Sequence, residues 1–234
     1  MHGARAVLRL LALLGAVGCG LVSRDVTGVS FDLPAKSYSF DTNDSMWKLP
    51  VGSFPSVPCG TGQLISDCCH PPAPVPTPDC GVTPLFCENA LCTLKFPVTV
   101  VQTVNLKDEV PQLQNVDKQY LINVSISQIR YSVSNSLNVD LPPVELYIAP
   151  ADVTSPADSR AQKFGTVPVL QAMTSGDDMV DLEPGSDVVF ANYAHEFGTP
   201  FNFIAAATVV VASGSPIPHG KVVITITAQV TASL

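Results

Sequence analysis

From Phe96 onward, apolar and polar residues alternate with a period of two, the pattern of strands buried on one face. In the first run Val98, Val100, Val104 and Leu106 share a side, with Thr99, Thr103 and Asn105 opposite. In YLINVSISQIRYSV the apolar set is Tyr120, Ile122, Val124 and Ile126, then Ile129, Tyr131 and Val133. The phase slips at Ser127 and Gln128, where a bulge would restore one buried face. VELYIA from Val144, MVDL from Met179 and DVVFAN from Asp187 are shorter candidate strands. The longest alternations come last: Phe201, Phe203, Ala205, Ala207, Val209 and Val211, then Val222, Ile224, Ile226, Ala228 and Val230. A turn-rich SGSPIPHG joins them. Upstream, Val29, Phe31 and Leu33 in VSFDL give one more strand.

One segment reads as a helix. Ser155 as cap, Pro156 in the first position, Asp158 in the first turn, Arg160 and Lys163 late and Gly165 beyond the end make a start-and-stop set. Roughly seven to nine strands with one short helix predict an all-β fold, a two-layer antiparallel β-sandwich, with a closed barrel as the alternative. The expected organisation is a signal peptide over 1–18, a tether over 19–28, a first strand plus a Cys/Pro-rich segment over 29–95, and the β-sandwich over 96–234.

The Cys/Pro-rich segment holds Cys59, Cys68, Cys69, Cys80, Cys87 and Cys92, together with the single Trp. Proline fixes φ and lacks an N–H, so ladders and helices are both interrupted there. HPPAPVPTPD has the composition of polyproline II and lies between Cys69 and Cys80. Such cysteine density in an exported chain predicts three disulfides. Six cysteines allow fifteen pairings, and those joining the neighbours Cys68 and Cys69 would close an awkward ring. Zinc is disfavoured because no gap among them has the C-x-x-C spacing of a structural site.

Export is read from the first residues. Arg5 and Arg9 precede the apolar run Leu10–Val17, small residues follow, and the chain turns polar at Ser23, Arg24 and Asp25. A spanning helix needs about 20 apolar residues, so this is a removable signal and no permanent anchor. The stretch AVGC, ending at Cys19, resembles the lipobox of bacterial lipoproteins, with Ala16 where leucine is usual. The resemblance implies cleavage after Gly18 and acylation of Cys19, with palmitate or a similar chain holding the protein to a membrane. Gly20 in the following position leans toward the outer membrane or cell surface by the family's sorting rule; without the lipid the protein would be periplasmic or secreted. Parity agrees, since assigning one of the seven cysteines to a lipid leaves six to pair.

Losing residues 1–18 removes two of the 12 basic residues and none of the 20 acidic ones, so the mature chain carries about ten excess negative charges. Nucleic acid is a poor partner for such a chain, because its binding rests on Lys and Arg at phosphates. With 46% hydrophobic and 14% charged residues the chain is globular.

Motifs for catalysis are absent: there is no G-x-S-x-G elbow, H-E-x-x-H pair, phosphate loop or dinucleotide fingerprint. The chain is therefore expected to be non-enzymatic, with no cofactor and a structural, adhesion or assembly role beside an envelope partner. The alternative is a ligand-binding module for sugar, lipid or peptide at a rim formed by Tyr193, His195, Glu196, Phe197 and Phe201. A hydrolase using His195 and Glu196 ranks below both. The acidic run Asp177, Asp178, Asp181, Glu183 and Asp187 offers weak calcium ligands without EF-hand spacing.

Overall fold

A computed structural model describes residues 28–44, 52–60, 68, 85–114 and 122–233. Cys19 and the tether up to residue 27, His70, Tyr120, Cys69, Cys80 and the proline run between those two cysteines lie outside them, while Gly28, expected in the tether, opens the first strand. Ten strands form two antiparallel sheets that bury their inner faces in a shared core, the two-layer sandwich expected from the alternation. The first sheet contains β1 (Gly28–Asp41), β10 (Lys221–Ser233), β4 (Ile122–Asn135) and β7 (Ser175–Met179), in that order. The second runs β2 (Leu85–Glu88), β3 (Leu91–Val104), β9 (Phe201–Val211), β5 (Val144–Pro150), β6 (Gln162–Val167) and β8 (Asp181–Leu182). The body is therefore not confined to residues 96–234: β1 pairs along its length with β10, and residue 95 falls inside β3.

Two bulges keep the inner faces in phase. Gln229 faces Gln128 while Val230 faces Ile126, leaving Ser127 as the extra residue that the phase slip required. In β1, Phe31 and Leu33 are buried, and so are Tyr38 and Phe40, which have the opposite parity. The register shift between Leu33 and Lys36 reconciles them. Pro34 sits in that shift, where its missing N–H interrupts no regular pair.

The helix expected from Ser155 is not formed. Its capping residues close turns instead: Ala157 N–H donates to Ser155 Oγ at 3.2 Å, and Arg160 N–H to Asp158 Oδ1 at 2.9 Å. Gln162–Val167 is then drawn into a strand beside β5. A helix of under two turns has a costly nucleus, and strand pairing wins here. Gly165 is no helix stop; a side chain there would meet Val180 Cγ1 at 2.9 Å and the Asp181 carbonyl at 3.0 Å, so it admits β8.

The reverse correction applies to DVVFAN, expected as a strand. It forms α3 (Ser186–Ala194), which buries Ser186, Phe190 and Ala194 at helical spacing and rests on β4 and β6, one strand of each sheet. Gly185, with φ +85, precedes it and supplies no side-chain cap. MVDL likewise divides, Met179 ending β7 and Asp181–Leu182 forming β8. Two single-turn helices, α1 (Leu106–Glu109) and α2 (Pro111–Gln114), follow β3. Lys36 of β1 reaches Glu109 at 2.6 Å and the Thr103 carbonyl at 3.2 Å, a partly buried tie between the layers.

The segment 52–60 is sewn onto one end of the sandwich. Phe54 exchanges backbone hydrogen bonds with Ser215 and Gly214, and Val57 and Cys59 do so with Cys92 and Ala90. Cys59 is bonded to Cys87 and Cys68 to Cys92. Cys87 and Cys92 face each other across the β2–β3 hairpin, and each bonds outward to the preceding segment. Two of the three expected bridges are thus assigned, and Cys69 and Cys80 lie outside the described residues.

Mapping of the unreduced, alkylated protein is expected to find no free thiol among these six, and alkylated Cys69 or Cys80 would contradict three bridges. Removing one bridge as Cys68→Ala with Cys92→Ala is expected to cost about 3 kcal/mol in urea titration.

Candidate functional site

Leu94 faces Val211 and Val104 faces Phe201, so the disulfides and the start of β9 lie at opposite ends of the larger sheet. At the β9 start a cleft of about 410 Å³ opens, lined by Pro150, Ala151 and Asp152 after β5 and by Asn192, Tyr193, Glu196, Thr199 and Pro200 around the end of α3. That volume falls in the usual range for ligand sites, about 300–1,000 Å³. A second cavity, between the sheets and lined by Leu33, Tyr38, Ile129, Phe164 and Phe203, measures only about 30 Å³. It has room for about two waters and no larger guest.

The sequence-based rim is divided by the structure. Tyr193 and Glu196 line the cleft. His195 is exposed at the end of α3 without lining it. Phe197 and Phe201 are each 1% exposed and belong to the core. Phe201 lies at the centre of an aromatic cluster, 6.2 Å from Phe190, 5.5 Å from Phe203 and 5.7 Å from Tyr193. Its place in the alternation of β9 signals that inward position. Asp152, Asn192 and Thr199 complete the cleft; no sequence pattern pointed to them, because 150–152 meets 192–200 only in the fold.

One buried side chain fixes the wall that carries Asp152. Asn202, 1% exposed, donates from Nδ2 to the Ala151 carbonyl at 3.0 Å and the Val153 carbonyl at 2.9 Å, and accepts from Thr103 Oγ1 at 2.7 Å. Asp152 accepts from Arg160 Nη1 at 2.8 Å, and the same guanidinium grips Asp158 through Nη2 at 3.1 Å and Nε at 3.2 Å. Those bonds hold the Asp158 carboxyl below its ordinary range and the Arg160 guanidinium above its own. On the opposite wall Thr199 Oγ1 donates to Glu196 Oε2 at 3.3 Å. Burial raises the Tyr193 hydroxyl, partly offset by Arg160 nearby, so the phenol stays neutral at physiological pH.

The cleft therefore offers carboxylates, an amide and one aromatic ring, suited to recognition. The acidic run does not gather into a metal site. Asp177 and Asp178 lie on exposed β7, Asp181 on β8 and Asp187 in the first turn of α3, while Glu183 pairs with Lys163 at 3.0 Å. Among the described residues, the one trio of His, Cys, Asp or Glu with ligand atoms within 4.8 Å of each other is Cys59, Cys68 and Cys92. All three are in disulfides, which leaves no thiolate to ligate an ion.

No protein-family model and no curated protein matches the chain. Among solved structures it is similar to that of Desmodium yellow mottle tymovirus, at 12% identity and a TM-score of 0.25, over 69% of this chain and 94% of that one. It is also similar to black queen cell virus, at 10% identity and a TM-score of 0.29, over 100% of this chain and 84% of that one. At such scores neither likeness bears on function.

Phe201→Ala is expected to lower stability by about 3–5 kcal/mol in urea titration, as a core residue does and a rim contact does not. Asn202→Leu, which strands the Ala151 and Val153 carbonyls, is expected to cost about 2–3 kcal/mol by the same measurement.

Proposed function

We propose that the protein is a lipoprotein of a bacterial envelope, held to a membrane by acylated Cys19, with a non-enzymatic role in structure, adhesion or assembly. The observation that carries this reading is the pairing of Cys59 with Cys87 and Cys68 with Cys92. These four cysteines bond among themselves, so none of them needs Cys19, and disulfides persist in oxidising, extracytoplasmic compartments. No helix among the described residues is long and apolar enough to cross a membrane. A lipid on Cys19 supplies the attachment in this reading, two or more acyl chains being needed for a firm hold. The lipobox resemblance and Gly20 favour the outer membrane or cell surface as its place.

A second reading, a ligand-binding module, is favoured by the cleft that collects Tyr193 and Glu196 with Asp152. A hydrolase reading gains less support, since His195 is not among the residues that line the cleft.

Cells fed labelled palmitate are expected to label the wild-type protein and to leave Cys19→Ser unlabelled, with the variant shifted from the membrane to the soluble fraction. Label retained in the variant, or none in the wild type, would remove the anchor.

A further inference from the structure

We infer that the cleft at the end of α3 recognises a cationic group, an ammonium or guanidinium borne by a small amine or by a Lys or Arg side chain. This rests on the binding-module reading of the cleft and is independent of the anchor.

The electrostatic balance of the site is one-sided. Asp152 and Glu196 both line the cleft, and Asp158 shares the Arg160 guanidinium with Asp152. Arg160, the cation beside them, has Nε, Nη1 and Nη2 already engaged by Asp152 and Asp158. Among the described side chains that line the cleft there are two carboxylates, Asp152 and Glu196, and no cation. Lys107, whose stem passes 3.9 Å from where a side chain on Gly198 would begin, does not line the cleft. The C-terminal end of α3 adds to the negative side, because the last carbonyls of a helix carry a partial negative charge. Asn192, Tyr193 and Glu196 all sit at that end. The excess of acidic residues over the whole chain would steer cations inward and repel anions.

The hydrogen-bonding inventory points the same way. The Thr199 hydroxyl spends its proton on Glu196, and Arg160, which does not line the cleft, commits three of its five N–H groups to aspartates, so the lining side-chain donors left to a guest are the Asn192 amide and the Tyr193 hydroxyl. Acceptors dominate, whereas a neutral sugar is held by donors and acceptors in alternation. Tyr193, backed by Phe201 at 5.7 Å, offers a neutral ring to a cation. Pro150 and Pro200 give apolar walls for the methylene stem of an alkylammonium. The Asp152 wall is set in advance by Asn202, which reduces the ordering that binding demands.

The test uses the exported protein with its native N-terminus, ¹⁵N-labelled and titrated separately with n-butylamine, agmatine, a Lys-containing and an Arg-containing tripeptide, N-acetylglucosamine and acetate. The amines, the peptides or both are expected to shift the backbone signals of Asp152 and of 192–199, and the shifts are expected to fade between 0.1 M and 1 M salt. Response to the peptides alone would assign the source to protein side chains, and response to the free amines as well to small cations. Glu196→Gln, which leaves the Arg160 contacts intact, is expected to weaken binding about two- to fivefold, as is Asp152→Asn. Tyr193→Phe should retain affinity and Tyr193→Leu should lose it, with thermal melts confirming that each variant is folded. Shifts caused by N-acetylglucosamine or acetate in place of the cations would overturn the inference. So would cation binding unchanged in Glu196→Gln, or no response to any cation. Loss of palmitate labelling would leave the result standing, and failure here would leave the anchor untouched.

Discussion

The pairing of β1 with β10 is the constraint on which the sandwich depends. Gly28 faces Ser233 and Asp41 faces Lys221, so an early segment of the chain lies against a late one along a whole strand. β10 carries β4 on its other side, and without β1 the buried face of the smaller sheet would lose Phe31, Leu33, Tyr38 and Phe40. Such a pairing forms only after a very large loop is closed, which makes the topology slow to assemble and exposes its edges meanwhile. Both outer strands of that sheet are protected against mispairing. β1 has a bulge at Pro34 and an inward-tied Lys36, and β7 is short and carries Asp177 and Asp178.

The disulfides act where strands cannot. Segment 52–60 makes only isolated bridges with its neighbours, yet it buries Phe54 and Val57 over the end of the core. A few backbone hydrogen bonds would leave it prone to local opening. Joining Cys59 and Cys68 to the two facing positions of one hairpin removes much of that freedom at two points. Rigidity at this end contrasts with the cleft end, where exposed polar side chains rest on a wall fixed chiefly by Asn202.

Strands with long alternation were legible: β9, β10 and the bulged β4 follow from period two, because an inward residue at every second position leaves a mark that no local signal disturbs. Short elements were not. The Ser155–Gly165 set satisfies every helix rule within its own stretch, but its caps serve turns equally well, and the partner that draws Gln162–Val167 into a strand is β5. Conversely, α3 has an apolar centre too short to separate a period of 3.6 from a buried strand, and it starts at a glycine with no capping side chain. The cleft was half legible. Tyr193 and Glu196 stand out by residue type, whereas Asp152 reaches them through a contact more than forty positions away. Phe197 and Phe201 were aromatic for the sake of the core. Disulfide connectivity was closed to sequence because spacing does not say which strands a hairpin will face.

The direction of β1 separates the two ends of the chain's first strand. Its Asp41 end lies beside the start of β10, where Thr42 N–H donates to the Gly220 carbonyl, and its Gly28 end lies beside Ser233 at the other end of that strand. Nine residue steps separate Cys19 from Gly28, a span of roughly 30 Å at most for any chain. In the proposed lipoprotein, that limit would keep the Gly28 end of β1 within reach of the bilayer, at the opposite end of the body from the cystine-stapled crown. In that reading the chain leaves its attachment from the end of the fold away from the assigned disulfides, so a pull on the anchor would load the β1–β10 pairing before the stapled segment.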